Sequence, residues 1–441
     1  MPNPATALCL TGFAILCSVP AAAEIQQVRF AGTLNQSSRS GEELVLRRFE
    51  ALLIHDAVAP FFAVLDDDRE GCPWPESFGR LNTANAPDPH LIYNYDGSTY
   101  TLPLPPLTVS LPADAATGHV WNNNGWEFEI SEAVTQAGTK AWKIDSKERR
   151  GRRQELIVAA DSGILLQATQ DVFMGQGDRF ELRLNQSSAE PISQNGSEKV
   201  ATLQTRLLQL QAALQRRPDT QIAELSPRQV SDAAAQLETL STLAKDTPLH
   251  ETVLRIDRDV SRQARRVAES MKRRDQLLNK AAPNFVLNLI NGTSLESDSL
   301  RGKAVVLHFW KYSDKPLSEP YGQVGYLEFL FNKRGQTNVA VVGISMNPLL
   351  QQNDKARSAV RSARKLSEFM NLSFPIGYDD GSLLRALGDP RDTGGELPLW
   401  VVLSPTGNVV HYHSGFYEVD KQHGLKELDD VIAEQISTAA K

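Results

Sequence analysis

The chain has 441 residues, 41% of them hydrophobic and 22% charged, with a formal net charge of −7. That length predicts two to four domains, and the ordinary composition excludes both a disordered chain and a membrane bundle. An acidic balance also argues against a nucleic-acid partner, which needs a basic surface.

Residues 1–23 read as a targeting segment. Leu8 to Val19 is an apolar core of signal-peptide length, and Ala21-Ala22-Ala23 ahead of Glu24 supplies a cleavage site. The segment before that core carries no Lys or Arg, a departure from the usual pattern, and an uncleaved anchor is the rival reading. So short an apolar run spans a bilayer poorly. Export to the periplasm or cell envelope is therefore the expectation, with peripheral membrane association left open. Cys9 and Cys17 leave with the segment, so Cys72 is the one thiol of the mature chain. It lies in Gly71-Cys72-Pro73-Trp74-Pro75, where a small buried apolar role competes with that of a reactive thiol.

Residues 24–193 read mainly as strands. Glu43 to Leu65 is the exception: Leu46, Phe49, Leu52, Leu53 and Phe61-Phe62 suggest a helix. A hairpin is signalled by Leu91 to Tyr95, the turn Asp96-Gly97 and Ser98 to Leu102. Alternation recurs at Trp126 to Ile130, Trp142 to Ile144, Gln154 to Val158, Ile164 to Phe173 and Arg179 to Leu184. Tight joins between these runs predict an antiparallel meander. The run Glu155-Leu156-Ile157-Val158 with Asp161-Ser162-Gly163-Ile164-Leu165 resembles the lipoprotein-localisation carrier (LolA-like) fold. That resemblance implies a sheet wrapped round an apolar pocket for acyl chains. Arg149, Arg150, Arg152 and Arg153 could meet an anionic headgroup, or merely solvate a hairpin edge.

Residues 194–280 change to helical spacing and read as a linker or bundle. Leu203, Leu207, Leu210 and Leu214 form a narrow seam of coiled-coil type. Ser226-Pro227 starts a second helix and Thr247-Pro248 a third, the latter with Val253, Ile256, Val260, Val267 and Met271 on one stripe. A spacer between two domains and a docking surface are the two readings.

Residues 281–441 carry the most specific signal. Ala304-Val305-Val306-Leu307 leads through His308 to Phe309-Trp310 as a buried central strand. Ser313 and Asp314 offer N-cap side chains, with Pro316 in the first helical turn. Further strands are expected at Asn338 to Met346, Phe374 to Ile376, Leu399 to Leu403 and Val409 to His413. Helices are expected at about Pro316 to Arg334, Lys355 to Met370 and Lys421 to Ser437, the middle one basic.

Gly302-Lys303, the Val-Val-Leu strand and Phe309-Trp310 resemble the first core strand of thioredoxin-like proteins. The nearest groups are the extracytoplasmic thiol–disulfide oxidoreductases and the thiol-specific antioxidant (redoxin) family. The resemblance implies a Cys-x-x-Cys pair four residues after the Trp, where this chain has Asp314 and Leu317. A thiolate is the nucleophile of disulfide exchange, so those two positions are chemically degenerate. The resemblance also implies a cis bond at Leu397-Pro398, and a peptide-binding groove lined by Trp310, Ser313, Leu397 and Pro398. His411 and His413 share one face of a strand, but solvated or hydrogen-bonded histidines are a better account of them than a metal site.

The fold class expected is multidomain: an antiparallel β-sheet domain with a helix, a helical bundle or linker, then an α/β thioredoxin-like domain. The functional expectation is an exported, non-enzymatic protein that binds or assembles a protein, peptide or lipid partner without cofactor or metal. Two alternatives stand beside it. One is a redoxin-type oxidoreductase or peroxidase using Cys72, and the other a lipid or lipoprotein carrier acting through residues 24–193.

Overall fold

A computed structural model describes residues 25–37, 43–56, 59–66, 74–81, 88–96, 98–149, 151–214, 225–311, 323–334, 338–352, 354–378, 380–395, 397–417 and 424–439. The chain is multidomain, with a large antiparallel sheet, helices beside it and a C-terminal α/β domain. The first part contains β1 (Gln26–Ser37), β2 (Glu43–His55), β3 (Phe61–Leu65), β4 (Phe78–Arg80), β5 (His90–Tyr95) and β6 (Ser98–Pro103). It continues with β7 (Val120–Asn123), β8 (Trp126–Gln136), β9 (Thr139–Glu148), β10 (Arg153–Ala159), β11 (Leu165–Met174) and β12 (Asp178–Pro191). Ten of these form one sheet in the order β4-β3-β2-β1-β12-β11-β10-β9-β8-β7, antiparallel throughout. The two remaining strands, β5 and β6, make the expected separate hairpin, with Tyr95 opposite Ser98 and Asp96 in the left-handed region at φ 46.

Glu43 to Leu65 is corrected from helix to two strands, β2 and β3. The reason is burial on both faces. Phe49, Ala51, Leu53, Phe62 and Val64 point into one core, while Leu52, Ile54, Phe61 and Ala63 point into another. A strand covered on both sides loses the period-two alternation that would have marked it.

The first core lies between the sheet and the hairpin, where Leu91, Leu102, Leu104, Leu107 and Val109 cover apolar residues from β1 to β3 and β8 to β12. Gly163 fixes that cover. Its φ is +69 and a Cβ would lie 2.3 Å from the Val109 carbonyl, so only glycine permits the loop to approach this closely. A polar ladder crosses the same face: Gln154 donates to Gln170 at 2.6 Å, and Gln170 donates to the Pro103 carbonyl at 2.9 Å.

The second core is shared with three helices, α1 (Gln194–Leu214), α2 (Pro227–Ala244) and α3 (His250–Leu277). Leu203, Leu207, Leu210 and Leu214 are buried here, so the seam packs into a mixed helix–sheet core. Ser226 caps α2 through a complete capping box with Gln229. Trp74, 1% exposed, donates its Nε1–H to Asp259 of α3 at 3.0 Å, tying the sheet domain to the helix. Among the described residues no helix is long and apolar enough to cross a membrane.

The C-terminal part contains β13 (Val286–Leu289), β14 (Ser294–Glu296), β15 (Ala304–Trp310), α4 (Val324–Arg334), β16 (Val339–Ser345) and α5 (Ala356–Phe369). It closes with β17 (Ile376–Tyr378), α6 (Ser382–Leu387), β18 (Leu399–Leu403), β19 (Val409–Ser414) and α7 (Leu425–Ala439). Its sheet runs β14-β13-β17-β16-β15-β18-β19, with β15, β16 and β17 parallel. All seven residues of β15 are buried, because helices cover both faces of the sheet. The strand expected at Phe374 to Ile376 begins instead at Ile376. Pro375 has no N–H to give a ladder and contributes only its carbonyl, which accepts from Gly343 at 3.0 Å. Residues 279–282 run beside β19: Asn279 donates to Val409, Val409 donates to Lys280, and Ala282 donates to Gly407.

Candidate functional site

In an α/β sheet, ligands meet the carboxyl ends of the parallel strands, where loops diverge and backbone groups are free. Here that end is built on β15 and β16. Trp310 stands opposite Ser345 in the parallel ladder, and Phe309 stands opposite Leu399 in the antiparallel one. Continuing that register sets Pro398 beside Trp310, and the Pro398 carbonyl accepts from Gly415 at 2.8 Å. A row of Ser345, Trp310, Pro398 and Gly415 therefore crosses the end of the sheet. The Leu397-Pro398 peptide bond is cis. Leu397 is 8% exposed and Trp310 is fully buried.

Of the site residues expected from sequence, Trp310 and Pro398 lie in this row, and Leu397 is joined to it through the cis bond to Pro398. Ser313, Asp314, Leu317 and Cys72 lie outside the described residues, as does any distance from Cys72 to Asp314. No cysteine follows Cys72 in the sequence, so none of the residues in this row is a thiol.

Two residues that sequence reasoning passed over complete the end of β16. Ser345 is 1% exposed and Asn347 is 5% exposed. Asn347 Oδ1 accepts from the Leu349 N–H at 2.9 Å, which fixes the amide and aims Nδ2 elsewhere. Asn347 Nδ2 and Ser345 Oγ are both buried and have no hydrogen-bond partner among the described residues. Buried polar groups are rarely left in that state, so such a pair at the mouth of a sheet marks a place where a polar ligand atom would be stabilised. An Asn directly ahead of Pro348 is a turn and cap signal, and that was its one legible feature.

On the other flank, Gln323 clamps Tyr417 through both backbone groups: its Nε2 donates to the carbonyl at 2.9 Å and its Oε1 accepts from the N–H at 3.0 Å. This fastens the start of α4 to the segment after β19. His411 Nε2 shares a hydrogen bond with Tyr417 Oη, and the His413 ring stacks on Tyr417 at 3.8 Å. Burial and the nearby Arg274 charge push the His411 pKa down to about 4. Burial and then the His411 charge push His413 down to about 4, against a backbone hydrogen bond at Phe416 that raises it. Burial raises the Tyr417 phenol well above its ordinary range. All three groups are neutral at pH 7. They form a hydrogen-bonded, stacked cluster, and no group of metal-ligating side chains is found among the described residues.

A central β15 flanked by parallel β16 and antiparallel β18, with helices on both faces, defines a thioredoxin-like domain. Residues 278–412 match the family model described as the AhpC/TSA family. The chain is similar to a thiol-disulfide oxidoreductase ResA of Bacillus cereus, 28% identical over 133 residues, or 30% of this chain and 67% of that protein. A ResA of Bacillus anthracis is 28% identical over 156 residues, covering 34% of this chain and 78% of its own length. Among solved structures, a thioredoxin-family thiol:disulfide interchange protein of Chlorobium tepidum covers 36% of this chain and 97% of its own, at 18% identity and a TM-score of 0.28.

Proposed function

We propose that the protein is exported and that its thioredoxin-like domain works in binding or assembly, holding an extended protein or peptide segment without thiol chemistry. The observation that carries this reading is the end of β16: Ser345 Oγ, on the residue opposite Trp310, and Asn347 Nδ2 are buried with no hydrogen-bond partner among the described residues, in a domain whose sequence contains no cysteine. Ser345 and Asn347 are two residues apart on extended backbone, a spacing of roughly 6.6 Å, which is also the repeat of alternate carbonyls in an extended ligand. Uncharged donors suit neutral amide oxygens, and backbone recognition of this kind needs no sulfur.

The test uses residues 24–441 and a carboxymethylated, permanently unfolded polypeptide as probe. Wild type should bind it and should show no insulin reduction above background. Asn347→Leu with Ser345→Ala should weaken binding roughly 30-fold, since each hydrogen bond is worth about 1 kcal/mol. Insulin turnover that disappears in Cys72→Ala would replace this reading with the Cys72 oxidoreductase.

A second reading concerns the sheet domain, which we compare to the LolA-like carrier fold. It is supported by the apolar sheet face that Leu91 and Leu102 of the β5–β6 hairpin cover, since an acyl chain would need such a face. Delipidated protein should then bind a fluorescent fatty acid, with hairpin variants altering the affinity. Absence of saturable binding would remove the carrier function.

A further inference from the structure

The helix α5 combines features that the proposed groove does not use. Its inner stripe of Ala359, Ala363 and Leu366 is buried against the domain. The outer face carries Arg357, Arg361, Arg364 and Lys365, all exposed, with Lys355 just ahead of the helix. Glu368 is the one carboxylate within α5. Elsewhere surface and half-buried cations are often neutralised locally, as Lys143 is by Glu155 and Lys333 and Arg334 are by Asp429. Arg357, Arg361 and Lys365 make no ion pair among the described residues, although the chain as a whole carries a net charge of −7. The stripe is thus a local reversal of sign.

Two aromatic side chains accompany it. Phe369 ends α5 and is 66% exposed, and Phe329 on α4 is 51% exposed with Lys333 5.5 Å from its ring. The two helices lie on the same face of the sheet, joined where the Ser373 N–H donates to Glu328 at 2.6 Å. A large exposed apolar ring beside unpaired cations is the composition of a surface that rests in a lipid headgroup layer: the cations meet anionic headgroups and the ring enters the acyl boundary. A purely acidic polypeptide would draw on the cations but give an exposed Phe369 no apolar environment.

We propose that the outer face of α5, with Phe369 and Phe329, is a docking surface for an anionic phospholipid membrane. The surface holds the protein peripherally and reversibly. Several charges and one or two rings resemble the two-signal anchoring of peripheral proteins, without a spanning helix.

The experiment is co-sedimentation of residues 24–441 with sonicated vesicles, either phosphatidylglycerol-rich or pure phosphatidylcholine. Wild type should bind the anionic vesicles at low salt, release at high salt and ignore the neutral ones. A basic residue near such a surface is worth about fivefold in affinity, so Arg357→Gln, Arg361→Gln, Lys365→Gln together should weaken binding about 100-fold. Those side chains are exposed, and an unchanged circular dichroism spectrum confirms that the variant is folded. Phe369→Ser should weaken anionic-vesicle binding about tenfold while leaving its salt dependence in place. The proposal is overturned if wild type fails to bind anionic vesicles, or if the triple variant binds them as well as wild type. Binding to soluble polyglutamate but not to vesicles would likewise overturn it and assign the surface to an acidic polypeptide.

Discussion

Acidification should destabilise the C-terminal domain in a window set by His411 and His413. Both folded pKa values lie at about 4, well below the unfolded value of 6.5. Between those limits the unfolded chain takes up protons that the native cluster around Tyr417 excludes, so stability falls as pH falls from 6.5 towards 4. A displacement of that size corresponds to about 3 kcal/mol per ring at one pKa unit per 1.36 kcal/mol. Both rings retain some solvent contact, so about 2 kcal/mol each is the working figure. Asp429 does not interfere. Burial raises its pKa, but hydrogen bonds from Lys333 and Arg334 outweigh that and hold it below 3.8, so its contribution is lost only at lower pH. Denaturant titration of residues 24–441, followed by tryptophan fluorescence at several pH values, should show the loss. Replacing both histidines with Gln should flatten the stability–pH slope across the window, even if it lowers stability at pH 7. Parallel slopes for variant and wild type would refute the reasoning.

Three further outcomes are expected. Trp74→Phe removes the hydrogen bond to Asp259, which keeps Arg262 and Gln263 as partners, so denaturation should show a loss of about 1–2 kcal/mol. Gly343→Ala puts a methyl group 2.6 Å from the Phe374 ring and 3.3 Å from Leu327, and should destabilise the C-terminal domain by about 1–3 kcal/mol in the same assay. Asp314→Cys with Leu317→Cys should confer dithiol chemistry, read as insulin reduction absent from the parent. A fully oxidisable but inactive double variant would show that the alignment from Trp310 identifies the spacing and not the reaction.

The parts of this fold that were legible in sequence are those where one periodicity had no rival. The β5–β6 hairpin announced itself through Asp96-Gly97 and alternating flanks, and β15 through the run Ala304 to Leu307, continued past His308 by Phe309-Trp310, which suits a doubly covered strand. Glu43 to Leu65 was illegible for a related reason. Its residues serve two cores at once, and apolar positions spaced to satisfy both faces imitate a helix. At the site, Trp310 and Pro398 could be found because they stand where the resemblance to thioredoxin-like proteins puts the end of the first core strand and a cis proline. Ser345 and Asn347 could not, because a Ser and an Asn near a strand end are ordinary, and only burial without a partner makes them notable.

The junction between the two halves bears on how any bound partner would be presented. The helix α3 shares the second core with the sheet domain, and the residues that follow it, 279–282, pair with β19. Arg273 of α3 packs so closely on Gly388 that a Cβ there would lie 2.7 Å from its Cδ, and Leu277 and Leu278 join the core beneath β18 and β19. A tether of flexible residues would let the domains sample many orientations, whereas a helix ending in a sheet edge removes that freedom locally. The pairing also occupies the backbone groups of Val409 at the start of β19, where an open edge would otherwise offer them to another strand. One short segment therefore does two things: it occupies the start of the β19 edge and fixes the direction from which α3 enters the sheet.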